Sequence, residues 1–331
     1  MNFKFNGITV GCALLLTMSS AAAEFLPALV TRGSRHDKGF TEMAFNGAER
    51  FRKDYGQRYL NVETTTDAQQ EQALRAMARR GADMVIAVGA FAPAVRTVAR
   101  DFPRVRFVLI DAQAEGANVE SIAFREQEGS FLVGMAAAMK SRSRSIGFIG
   151  GMGLPMIHAF GCGYVQGARH VDAGIKVVQN MVWDTAVGFR DPARGAELAR
   201  SQFDRGVDVV FPAAHLTTLG VLRQAKDSGK FAIGVDDNQN PLYPGTMLTS
   251  MVKRVDNAVY AAMKAGRDGS WRPGVRTLGL KEGGVDWALD RYNRALITPA
   301  METRINTARR DIIAGRLKVV DYRTHNRCPL H

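Results

Sequence analysis

Short apolar runs alternate with segments of helical period along nearly the whole chain. The runs at 28–31, 60–64, 84–88, 105–110, 121–124, 145–149, 176–182, 207–211, 231–235 and 247–251 are too short for helices. They are mostly rich in Val, Ile and Phe, so they read as strands. Between them, 40–53, 67–80, the stretch ending at 101, 126–139, 154–171, 191–205, 216–227 and 255–265 read as helices. In the first of these, Phe40, Met43, Ala44, Ala48 and Phe51 share a face. Asp67 stands where an N-cap belongs, Gly81 ends the second helix and Pro103 stops the third. The stretch 271–291 is less regular. A helix is expected over 299–314 and a closing strand over 317–322. The pattern is that of an α/β protein, a parallel sheet with helices on both faces.

The chain also repeats itself. Arg80-Gly81-Ala82-Asp83-Met84-Val85-Ile86 resembles Arg205-Gly206-Val207-Asp208-Val209-Val210-Phe211, at an offset of 125 residues. At that same offset, Asp111 after one apolar run meets Asp236 after another. Each unit runs helix end, Gly, strand, helix, strand, Asp, which implies two similar lobes. Open parallel sheets bind ligands beyond the carboxyl ends of their strands. Both aspartates belong there, so facing lobes would turn both carboxylates into one cleft. Alone, either Asp would read as a turn cap; the matched pair favours the cleft.

Composition narrows the functional classes. The chain has 331 residues, 46% hydrophobic and 23% charged, which suits two globular domains and excludes disorder or a small disulfide scaffold. Lys+Arg 44 against Asp+Glu 32 gives +12, but the excess is scattered, with no basic block of the kind a nucleic-acid arm uses. No nucleic-acid partner is expected. The Gly-x-Ser-x-Gly elbow, the phosphate loop and His-Glu-x-x-His are absent, as is metal-type Cys/His spacing, so neither enzyme, metal nor cofactor is supported. Gly150-Gly151-Met152-Gly153 lacks the dinucleotide spacing and reads as a tight strand-to-helix turn near the cleft. His36, His158 and His215 follow strand ends loosely and read first as loop residues.

Residues 1–23 read as a secretory signal: Lys4, a short apolar core from 8 to 18, then small residues, with the cut after Ala23. The apolar run falls short of the ~20 residues of a membrane span. Cys12 opens the apolar core rather than following it, so a free periplasmic protein is expected and not a lipoprotein. Of the remaining cysteines, Cys162 in Gly161-Cys162-Gly163 reads as a small packed helix residue rather than as the partner of Cys328.

Several segments, taken in order, resemble one family. They are Asp37-Lys38-Gly39-Phe40, Glu126 through Gly134, Gly150-Gly151-Met152 with Phe160 through Tyr164, Gly234 through Gln239, and Thr249 through Arg254. The set is similar to the basic membrane protein family, the nucleoside-type substrate-binding proteins of ABC transporters, and covers nearly all of the chain after residue 23. The resemblance implies a type I periplasmic binding fold, two Rossmann-like lobes joined by a three-segment hinge near 124–126, 250–253 and 283–286. Residues 24–125 plus about 252–285 would form the N-terminal lobe, and 126–251 plus about 286–331 the C-terminal lobe.

It implies delivery of a purine nucleoside or base to an inner-membrane permease by a monomeric receptor. A purine offers two faces for aromatic stacking, worth ~1–3 kcal/mol per contact. Phe40 is the first candidate and Phe211 the second, with Phe160 and Phe91 in reserve. Asp236 would accept the ribose hydroxyls, Lys253 would donate while pairing with Asp236, and Asp111 would reach base or ribose from the other lobe. Asp37 belongs to the ligand segment. The chain departs from the family pattern at Thr41, where Asn is usual, at Asn238, and at 213–218, where His215 adds bulk and an imidazole beside the cleft. The same fold holding another small solute such as a sugar, or serving as a sensor, is the second reading. A secreted nucleoside-acting enzyme is the third.

Overall fold

The computed structural model describes Met1 and residues 24–329. Apart from Met1, the expected leader, its cut after Ala23 and Cys12 lie outside the described residues. Strands β1 (Pro27–Arg32), β2 (Leu60–Thr64), β3 (Met84–Val88), β4 (Arg106–Ile110) and β5 (Val119–Phe124) are interleaved with helices α1 (Phe40–Tyr55), α2 (Asp67–Arg79) and α3 (Ala92–Asp101). Helix α4 (Glu126–Lys140) opens a second series of β6 (Ser145–Gly150), α5 (Pro155–Val171), β7 (Lys176–Met181), α6 (Pro192–Asp204), β8 (Val209–Ala213), α7 (Thr217–Asp227), β9 (Phe231–Asp236) and β10 (Met247–Lys253). Then follow α8 (Val255–Arg267), β11 (Gly274–Leu278), β12 (Val285–Trp287) and α9 (Pro299–Ile313).

Two six-stranded sheets result, in the orders β11-β5-β4-β3-β1-β2 and β12-β10-β9-β8-β6-β7. Position for position the orders match, as the internal repeat requires. They differ at the sixth strand: β11 runs parallel to β5, whereas β12 runs antiparallel to β10. The chain passes between the sheets three times, from β5 to α4, from β10 to α8 and from β11 to β12. This is the two-lobed type I binding-protein architecture. Val252, Lys253 and Val285, expected in the first lobe, are strand residues of the second sheet.

Burial on both faces explains the apolar runs. All five residues of β3 and all six of β6 are buried. One cluster packs the second face of the first sheet against α2 and α3, and another packs the second sheet against α6 and α7. The largest runs through α1, α8, α4, α5 and α9 and joins both lobes. Within it, α4 and α5 touch backbone to backbone. A Cβ on Gly134, Gly163 or Gly167 would run into the carbonyls of Tyr164, Gln127 or Phe131.

The structure departs from the local sequence pattern in four further places. Residues 271–291 contain the two lobe-crossing strands β11 and β12. The N-cap of α2 is Thr66, which forms a reciprocal capping box with Gln69, so Asp67 lies one position inside the helix. No strand forms over 317–322. There the Val320 backbone pairs with the Gln166 side chain, donating N–H to Oε1 and accepting from Nε2, both at 2.9 Å. Finally, Cys162 is not merely a packed residue. It is disulfide-bonded to Cys328, with Cα atoms 5.5 Å apart. The final segment folds back over α5, a contact across 166 residues that local pattern does not encode.

Candidate functional site

The carboxyl ends of the two sheets meet the same space, and the backbone there is strained. Six described non-glycine residues have positive φ, and four of them converge here: Lys38 (56°), Asp111 (71°), His215 (51°) and Asp236 (66°). Such conformations cost of order 1–3 kcal/mol each and cluster at functional sites. Asp111 and Asp236 adopt the same left-handed turn at matching strand ends, so the repeated sequence position is also a repeated geometry.

At the centre is Lys253, the last residue of β10, with its side chain 1% exposed. Its ammonium lies 2.6 Å from Asp111 and 3.0 Å from Oε1 of Glu126, the first residue of α4. Three rings surround it, with centroids 5.4 Å (Phe40), 5.0 Å (Phe124) and 5.6 Å (Phe160) from Nζ. Burial alone would lower the lysine pKa. Asp111, Glu126 and Asp236 overcome that and hold it above its ordinary range. Glu126 is itself fully buried, and burial raises its pKa against the pull of Lys253 and Arg323. Arg323 Nη1 stands 3.0 Å from the far oxygen, Oε2.

Asp236 is buried at the end of β9. Burial pushes its carboxyl up to about 7, with Lys253 opposing and Asp111 adding to the shift. Asp37 behaves oppositely. Burial would raise it, but the His215 imidazole, 2.8 Å away, and the backbone N–H groups of Thr41 and Glu42 hold it at about 2. With Gly39 also donating, this carboxylate accepts three amides at the start of α1, where a helix favours negative charge. Asp37 belongs to the first lobe and His215 to the second, so the pair spans the cleft. Gln239 spans it too, donating to the Lys38 carbonyl at 2.7 Å while its own oxygen accepts from Val235 N–H.

Asp37, Gly39, Phe40, His215, Val235, Asp236 and Gln239 line a narrow, tightly closed crevice between the lobes. A wider depression on the outer face between α6 and α7, lined by Glu197, Arg200, Asp204 and Gln224, contains none of these groups.

Thus Asp37, Phe40, Asp111, Phe160, His215, Asp236 and Lys253 come together around the cleft. Two expected stacking residues do not share that position. Phe211 is fully buried behind Phe160, packed 5.3 Å from Tyr164 and 5.7 Å from Phe148. Strand alternation in β8 aims it at α5. Phe91 lies in the core between the first sheet and α2 and α3. Lys253 is bonded to Asp111 and Glu126, where pairing with Asp236 was expected. Phe124, Glu126 and Gln239 were missed as site residues, although the first two flank the expected hinge at 124–126 and Gln239 closes the 234–239 motif. Nothing local in the sequence marks Arg323.

The model of the Bmp family, described as ABC transporter substrate-binding protein PnrA-like, matches residues 26–318. The chain belongs to this family. An uncharacterised lipoprotein of Pyrococcus abyssi is 34% identical over 275 residues, covering 78% of this chain and 67% of that protein. Basic membrane protein A of Borreliella burgdorferi is 29% identical over 238 residues, covering 70% and 69%. An ABC transporter solute-binding protein of Aeropyrum pernix superposes with TM-score 0.83 at 27% identity, covering 91% of this chain and 95% of that one. This Bmp-family protein is therefore a substrate-binding component of an ABC transporter and not an enzyme. Its partners are a small molecule and a membrane permease. Among the described residues no helix is long and apolar enough to cross a membrane.

Proposed function

We propose that this Bmp-family protein binds a purine nucleoside or free purine base between its lobes and presents it to the permease. The observation that carries this reading is the placement of Phe40 and Phe160 about the Lys253–Asp111 pair, with Asp236 beside them. Rings suit the two faces of a flat base, and carboxylates and an ammonium suit hydroxyls and ring nitrogens. Asp236, once ionised, accepts from ribose hydroxyls; Lys253 donates; Asp111 and His215 set the edge contacts. In this shut state the crevice leaves no room for a ligand. Entry therefore requires the lobes to part, and the bulk of His215 favours a free base or a compact nucleoside. The same reading has the chain exported, cut after Ala23 and working as a free periplasmic monomer. Intact mass and sedimentation of the exported protein test this, and an acyl-modified Cys12 retained at the N-terminus would refute it.

The main test is a thermal-shift panel of adenosine, guanosine, inosine, hypoxanthine, ribose and glucose. A purine at a hundred times its Kd stabilises the native state by ~2.7 kcal/mol, raising Tm by about 5 °C. Stabilisation by sugars alone would replace the nucleoside reading with the sugar one.

A further inference from the structure

Residues 316–329 form a strap that leaves α9 and lies along α5. It is tied there at three places: Gln166 brackets the Val320 backbone, the His158 and Tyr322 rings stack 4.7 Å apart, and Cys328 is joined to Cys162. Arg323 leaves the strap for the first hinge crossing. Its Nη2 donates to the Phe124 carbonyl at 2.9 Å and to Gln127 at 3.4 Å, and its Nη1 meets Glu126 at 3.0 Å. Asp321 holds the guanidinium by three contacts of 2.8–3.0 Å.

We propose that Arg323, delivered by the disulfide-anchored strap, is a positioning residue for Lys253. It holds Glu126 from behind, so that the ammonium stays directed at Asp111 and the cleft. The inference rests on reading that cleft as the ligand site.

Glu126 is 1% exposed, and neither carboxylate oxygen has an aligned hydrogen bond; each faces one cation, Lys253 or Arg323. A buried carboxylate without a counter-charge is strongly unfavourable. Were Arg323 absent, Glu126 would keep only Lys253 as counter-charge and would take up a proton more readily. Protonation of Glu126 alters the balance of charge that directs Lys253 at Asp111 and Asp236. The charged groups facing Glu126 are Lys253 from β10, Asp111 from the end of β4, and Arg323 with Asp321 from the strap. Arg323 touches no cavity-lining residue, so it acts through Glu126. An arginine suits this place because its planar fork serves a carboxylate and a backbone carbonyl at once.

The test uses the ligand-free full chain with 13C-labelled glutamate carboxyls, the Glu126 signal being assigned by E126Q. Relative to wild type, R323Q is expected to move the Glu126 midpoint upward by at least one pH unit, and R323K to leave it within half a unit. An unmoved midpoint in R323Q overturns the proposal. The double variant C162S/C328S is expected to shift the midpoint in the same direction as R323Q; a wild-type midpoint removes the strap from the proposal. If that variant does not fold, wild type reduced under native conditions and alkylated is read the same way. Inosine affinity is the second measurement, expected to fall tenfold or more in R323Q and to stay within threefold in R323K. Lost affinity with an unmoved midpoint also overturns the proposal. Wild type that binds no purine counts against the ligand reading, and the midpoint still decides the role of Arg323.

Discussion

Asp37 and Asp236 are the same side chain in one cleft, yet their surroundings drive them apart. Asp37 sits at a helix start facing an imidazole and is held at about 2. Its folded pKa lies below the ordinary value, so its contribution to stability is complete above about pH 4 and is lost as pH falls toward 2. Urea unfolding of wild type between pH 5 and 2 should lose ~2 kcal/mol from this group, a loss that Asp37→Asn does not show. Asp236 has the opposite sign. Its folded pKa is raised to about 7, so its stabilising contribution is complete below about pH 4 and is lost as pH rises through 7. Asp236→Asn should therefore raise the Tm of the ligand-free protein at pH 8 and match wild type near pH 3.5. The same substitution should weaken nucleoside binding at pH 8 by ~1.5–3 kcal/mol, the worth of hydrogen bonds to a charged group. Calorimetric titration at pH 6 and pH 8 checks a further expectation: wild-type affinity rises over that interval and that of Asp236→Asn does not.

At the scale of elements, the α4–α5 contact and the strap decide how firmly the second lobe holds the hinge. Gly167→Ala places a methyl group against the Phe131 carbonyl. It is expected to cost ~1–3 kcal/mol in urea unfolding, the ordinary penalty of overpacking. Most of this layer was legible beforehand. Strands such as β3 and β6 are apolar at every position, and the repeat of Asp83 to Asp208 and Asp111 to Asp236 placed two carboxylates at matching ends. What escaped was long-range or weakly patterned. β11 is largely exposed and only five residues long, so it carries no apolar run. Cys328 meets α5 only because the strap turns back. Phe211 stands at a strand end in sequence, yet its pleat face aims it inward. Arg323 touches Glu126 across about three-fifths of the chain.

For the whole molecule, the buried Lys253–Asp111 pair joins the lobes beside the hinge, and farther out closure depends on a few polar contacts: Asp37 with His215, Lys38 with Gln239, and the Thr65 carbonyl with Arg190 at 3.4 Å. The outer contacts are polar and few, so the rims of the lobes can part about the hinge, and a ligand adds the missing preference for the shut state. His215→Ala/Gln239→Ala should raise the radius of gyration of the ligand-free protein in small-angle X-ray scattering, with a saturating purine restoring the smaller value. The order of the strands has a further consequence. The first sheet is not complete until β11 has been made, some 150 residues after β5. A chain emerging from the ribosome therefore cannot finish its opening lobe until it is nearly all translated. Delayed folding of this kind keeps the polypeptide threadable, which is the condition a translocation channel for unfolded chains demands.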